Sequence, residues 1–292
     1  MIRYDCDIAE LAASITAIKP NWLAQADKAT RAVVKAKAFK GAGIWSDVKE
    51  VFMDLQHNKC VYCERQFENK NYGKIEWDVE HYRPKSSVKA WPDPGRHPHL
   101  AYPFFTGAPA DIGYYWLAFD PSNYAASCKV CNSTFKSNYF PVAKPRGAAT
   151  ADPAALREED PYLCYPLGVL DDDPEELLTF VATTATPKYP GSARGDRGQV
   201  IIDFFELNKR DELHTGRAQM ITLLGGALEK LADGTATAAD HTVANFMQAP
   251  GIPHANCVRA FARLWQADRA MARRTYDLCR LHAVGAAGIP TP

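Results

Sequence analysis

Two Cys-x-x-Cys pairs, Cys60-Val-Tyr-Cys63 and Cys128-Lys-Val-Cys131, stand 64 residues apart. Each pair turns the backbone so that both sulfurs face one point, and two pairs can enclose one tetrahedral Zn²⁺. Redox use of either pair is the competing reading. A four-thiolate site is closed, so it would hold the fold and leave reactions to other residues. The separation exceeds that of a compact zinc ribbon, and what lies between the knuckles is Ile75-Glu-Trp-Asp-Val-Glu-His81-Tyr-Arg-Pro-Lys85. Glu80 directly before His81 offers a hard-metal ligand beside a general base. Asp78, of the same strand parity, is the fallback ligand. Asn132 follows the second knuckle, and Asn123 precedes it.

Such a set suits phosphodiester hydrolysis. The reaction needs a nucleophile made from water, neutralised charge on the phosphate and help for the leaving oxygen. A histidine near its ordinary pKa of about 6.5 can make the first, and one Lewis-acidic ion can supply the other two. Carboxylate and carboxamide ligands suit Mg²⁺ and Mn²⁺ alike. Arg83, Lys85, Lys129 and Lys136 flank the set and could hold neighbouring phosphates without reading sequence.

These residues need elements to position them. Ile75, Trp77 and Val79 alternate with Glu76, Asp78 and Glu80, which predicts a half-buried strand ending at His81. A helix starting near Lys129 would hold Asn132 beside it. Upstream, Ile8, Leu11, Ile15 and Ile18 line one helix face until Pro20. Trp45, Val48, Val51, Phe52 and Leu55 predict a second helix leading into Cys60. Residues 177–182 read as a strand, and the pattern is helical again from about 199. One last helix is expected over about 255–282, with Arg259, Arg263, Arg269, Arg273, Arg274 and Arg280 along one face. The expected organisation is an N-terminal helical segment (1–58), a core (59–146), an acidic irregular connector (147–198) and a C-terminal helical region (199–292).

The order Cys-x-x-Cys, Glu-His-x-x-Pro, Asn, Cys-x-x-Cys-Asn resembles an HNH endonuclease with its ββα-metal fold. The wording Cys60-Val-Tyr-Cys-Glu64, Glu80-His-Tyr-Arg-Pro-Lys85, Tyr115-Trp-Leu-Ala-Phe-Asp120 and Ser127-Cys-Lys-Val-Cys-Asn132 resembles the PtuB-type HNH proteins of Septu and retron anti-phage systems. The resemblance implies an α+β fold, with a zinc-stapled HNH core between mainly helical flanks. It implies that His81 is the general base, that Glu80 and Asn132 hold the catalytic divalent ion, and that Asn123 fixes the loop. It implies that Cys60, Cys63, Cys128 and Cys131 bind structural zinc, and that a separate ATPase is the partner protein. Two departures stand out: Glu80 replaces the usual Asp, and 41 residues separate His81 from Asn123.

Composition bounds the alternatives. The chain has 292 residues, 47% hydrophobic and 23% charged, with 34 Lys/Arg against 34 Asp/Glu, which excludes a largely disordered chain. Its apolar runs fall short of the roughly 20 residues of a membrane span. Asp5, Asp7 and Glu10 sit where a signal peptide would be basic and then apolar, so a cytoplasmic protein is expected. Charge is uneven: residues 59–146 carry 12 basic and 8 acidic residues, and 147–194 carry 3 and 9. A locally basic surface for nucleic acid, DNA before RNA, is the expectation. No GxxxxGK[ST] loop is present, so the chain has no ATPase signature of its own. The competing functions are a zinc-stabilised nucleic-acid- or protein-binding module with an idle nuclease site, and a stand-alone restriction-like nuclease.

Overall fold

Leu11 and Ile15, four residues apart, are the buried face of helix α1 (Ile8–Ile18), and the Asp7 side chain caps its start by accepting from the amides of Ala9 and Glu10. Helix α2 (Trp22–Ala36) buries Trp22, Ala26 and Val33, whose spacing of four and seven residues puts them on one face. A 3₁₀ turn over Trp45–Val48 runs into α3 (Lys49–Leu55), which delivers the chain to Cys60. In the computed structural model, residues 1–41, 43–68 and 73–286 are described.

Strand β1 (Trp77–His81) pairs antiparallel with β2 (Tyr124–Cys128), with Glu80 opposite Ala125 and His81 opposite Tyr124. The strand is where expected, but its alternation breaks at both ends. Ile75 is exposed and Glu80 is buried. β2 is buried throughout and leads into a π-helical segment, Val130–Lys136. α3 packs on β2, and buried Gln56 stitches the contact: its Oε1 accepts from Ala126 N at 2.7 Å, and its Nε2 donates to Ala126 O at 2.8 Å and Lys59 O at 3.0 Å.

These elements belong to one of two compact units, Arg3–Val61 with Phe67–Asp173. The other comprises Pro174–Pro292 with Met1–Ile2 and Tyr62–Gln66. Its elements are a hairpin of β3 (Leu178–Val181) and β4 (Thr184–Pro187), then α4 (Ala193–Phe204), α5 (Asp211–Asp233), α6 (Ala238–Phe246), α7 (Ala255–Ala267) and α8 (Arg269–Ala286). Ile221, Leu224, Val258, Phe261, Trp265 and Ala272 are among its buried core, each large apolar side chain stabilising by about 1.5–3 kcal/mol relative to exposure. Gly225 lets α5 meet α8, since a Cβ there would lie 2.3 Å from the Tyr276 ring.

The single last helix expected over 255–282 is two helices. Asp268 adopts extended angles (φ −145°, ψ 91°) at the end of α7, and its carboxylate accepts from Met271 N at 2.9 Å to start α8. The arginine face is divided with it, and four of its six members have carboxylate partners. Glu175 pairs with Arg259 and Arg263, Glu229 with Arg273 and Asp277 with Arg280. The molecule is α+β, and no helix among the described residues is long and apolar enough to cross a membrane.

Candidate metal centre and active site

Cys60 and Cys63 form a turn after α3, Cys128 ends β2, and Cys131 lies in the following π-helical segment. All four are buried, and their Sγ atoms lie within 4.8 Å of one another. Tetrahedral Zn–S bonds of about 2.3 Å put sulfurs roughly 3.8 Å apart, so a small contraction would close the site on zinc. Backbone amides already point at the sulfurs: Cys128 N lies 3.3 Å from Cys60 Sγ, and Cys131 N lies 3.4 Å from Cys128 Sγ. Amide donors of this kind favour thiolate over thiol. The four cysteines can therefore hold a metal such as zinc.

His81 ends β1 in a closely furnished niche. Its Nε2 lies 3.0 Å from the Ala118 carbonyl, which can only accept, so Nε2 carries the proton and Nδ1 presents a lone pair. Trp45 and Tyr124 meet the ring edge-to-face at 4.6 and 5.0 Å, and the Tyr124 hydroxyl donates to the same carbonyl at 2.7 Å. Lys85 Nζ lies 3.5 Å from Nδ1 and over the Trp45 ring. Burial first, then the positive charge of Lys85, lowers the His81 pKa to about 3. The imidazole is neutral.

Asn123 is buried and holds the chain just beyond the histidine. Its Oδ1 accepts from Arg83 N at 2.8 Å, while its Nδ2 donates to the carbonyls of Arg83 at 3.1 Å and Leu117 at 3.2 Å. The neighbouring turn comes close because Gly113 has no Cβ, which would otherwise sit 2.3 Å from Pro84 O. Tyr114 N then donates to Pro84 O at 2.7 Å.

Glu80 is 3% exposed and Lys136 is 0% exposed, and Lys136 Nζ lies 3.2 Å from Glu80 Oε1. That ammonium also donates to His81 O at 3.4 Å. Glu80 Oε1 has no hydrogen bond of good geometry. Burial raises the Glu80 pKa to about 7 against the opposing pull of Lys136. Asn132, four residues before Lys136 on the π-helical segment, is half-buried, and no hydrogen bond is formed by its side chain among the described residues. A buried carboxylate oxygen met only by the Lys136 ammonium, and a carboxamide without a side-chain hydrogen bond, are oxygen donors that suit a hard cation. Asp78, the fallback ligand, is exposed.

Two expected phosphate contacts are not available as such. Arg83 is buried, ion-paired with Glu159, and donates to Leu156 O at 2.8 Å. Lys136 is committed to Glu80. Both were expected to hold phosphates because they flank the site in sequence, but each neutralises a carboxylate far along the chain. Lys129 is exposed and Lys85 half-buried. Sequence reasoning missed the Ala118 carbonyl and Glu159. A backbone acceptor leaves no residue-type signal, and Glu159 is hidden in a run of acidic residues.

No family model matches the chain, and no solved structure matches it. Among curated proteins it is similar to the Septu protein PtuB of Bacillus mycoides (strain KBAB4), at 32% identity over 190 residues. That alignment covers 65% of this chain and 56% of the relative, so the chain spans little more than half the length of the curated relative it matches. With its paired cysteines gathered into one buried cluster, this chain is similar to that PtuB protein over the aligned 190 residues.

Proposed function

We propose that the chain is a metal-dependent HNH endonuclease, its ββα-metal core formed by β1, β2 and the π-helical segment. The observation that carries this reading is the neutral His81 with its Nε2 proton tied to Ala118 O and its Nδ1 lone pair, 3.5 Å from Lys85 Nζ, as the base. In this reading Nδ1 takes a proton from water as the water oxygen attacks phosphorus and the bond to the leaving oxygen breaks. Glu80 and Asn132 would hold Mg²⁺ or Mn²⁺, which supplies charge neutralisation at the phosphate when bound. Asn123 keeps the loop after His81 in one conformation. Lys85 and Lys129 are the cations left for neighbouring phosphates, and zinc on the four cysteines would keep β2 and its neighbours in register.

Similarity to a Septu protein supports a role in anti-phage defence; nucleic acid (DNA before RNA) as substrate and an ATPase as partner are what the family resemblance of the motifs implies. One feature favours the rival reading of a zinc-stapled binding module with an idle site: the Lys136 ammonium already meets the Glu80 carboxylate. Plasmid cleavage with Mg²⁺ or Mn²⁺, alone and with a co-encoded ATPase, separates the two. Cutting by the native protein and loss of about 10²–10⁴-fold in His81→Ala, the usual contribution of a general base, is the expected result. No cutting in either setting would transfer the case to the binding module.

A further inference from the structure

Beside the loop that follows His81, a cavity of about 340 Å³ is lined by Lys37, Ile112, Tyr115, Trp116 and Arg146. The aromatic rings of Tyr115 and Trp116 meet at 5.2 Å, edge to face. Trp116 is half-exposed and anchored by its Nε1 donating to Ala151 O at 2.8 Å. Ile112 is 58% exposed at the rim. Lys37, in the left-handed conformation that ends α2, is exposed and has no ionic partner among the described residues. Arg146 donates to Tyr114 Oη and to two backbone carbonyls through Nη1 and Nη2, while its Nε is buried without a partner.

We infer that this cavity binds one unstacked nucleotide of a nucleic-acid strand, the base against Trp116 and Ile112 and the phosphate toward Lys37. Aromatic surface beside cations is what single-stranded binding uses, since every base has a π-face and every nucleotide a charge. The volume lies at the small end of the roughly 300–1,000 Å³ of ligand sites, room for a nucleotide and not for a duplex. The larger cavity of the same unit, about 400 Å³ near Ile8 and Leu170, is lined by Asp120 and Asp152 and would repel phosphate. The aromatic cavity is also held against the His81 loop. Gly113 N donates to Ser86 O at 2.8 Å and Tyr114 N to Pro84 O at 2.7 Å. The Arg146–Tyr114–Glu159–Arg83 chain of polar contacts continues to the residue that Asn123 clamps. The site thus deepens the nuclease reading, on which it rests for its occupant, by adding a subsite beside the base.

The test is binding of fluorescein-labelled dT12 to the zinc-loaded full chain without added divalent ion, with dTMP as competitor. Lys37→Glu and Ile112→Asp are exposed changes, with circular dichroism to confirm folding. Each is expected to weaken dT12 binding by about fivefold or more, on the order of one lost backbone or stacking contact, with dTMP competing only far more weakly than dT12. Unchanged binding in both folded variants overturns the inference. Competition by dTMP as strong as dT12 itself would make the site one for free nucleotide and overturn its assignment to a strand. If the native protein cuts DNA through His81 while both variants bind normally, the subsite fails and the nuclease stands. Weakened binding in a protein that never cuts supports the subsite and removes the nuclease.

Discussion

Lys136 illustrates how one residue can be misjudged by its type. A lysine four residues past a metal knuckle invites a phosphate, yet it is wholly buried between Glu80 and the His81 carbonyl. Removing one member of a buried ion pair leaves the other uncompensated, a cost of about 3–5 kcal/mol, whereas removing both can be nearly neutral. Lys136→Met should therefore destabilise the unit by that order in urea unfolding, and Lys136→Met with Glu80→Gln should recover most of it. Additive losses would show that the pair does not interact. His81 also depends on its surroundings, because Ala118 O selects the tautomer and Trp45 and Tyr124 hold the ring.

At the scale of elements, the four-cysteine cluster ties the turn after α3 to the end of β2 and the start of the π-helical segment. Structural zinc contributes folding free energy directly, since its ligands are scattered in the unfolded chain. Purified protein should carry one equivalent of zinc by atomic emission. A strong chelator should remove it together with cooperative unfolding of this unit, and Cys128→Ser should reproduce the loss. Zinc extraction with an unchanged melting curve would contradict a structural role. The junction between α7 and α8 offers a smaller test. The Asp268 carboxylate caps α8, so Asp268→Ala should cost about 1 kcal/mol, the usual value for an N-cap, read as a lower midpoint in denaturant.

At the scale of the whole molecule, 34 basic residues balance 34 acidic ones, so nucleic acid would be held by a few local cations and not by a general field. Four of the six arginines of α7 and α8 answer carboxylates, among them Glu175 of the acidic stretch, which is met by Arg259 and Arg263. In the proposed site the cations assigned to phosphates are Lys37, Lys85 and Lys129. Three single-strand contacts at roughly 0.7 each predict a slope of about −2 for log K against log salt. A much steeper slope, weakened by charge reversal at Arg263 and Arg273, would restore the arginine face as a nucleic-acid surface.

The sequence by itself determined the identity and order of the candidate residues: two cysteine pairs, a Glu-His pair at a strand end and Asn132 beside the second knuckle are read from spacing of three or fewer, and Asn123 from its place before that knuckle. It also determined those elements with an apolar period of their own, such as α1 and β1. Local spacing is legible because it is set by a residue's near neighbours. Tertiary structure decided which charges reach solvent, since Arg83 meets a partner 76 residues away and Lys136 one 55 residues away. It also decided where α7 stops and which nitrogen of His81 meets the Ala118 carbonyl. Each of those depends on burial and on a partner distant in sequence, and neither property is written in the run of residues around the position.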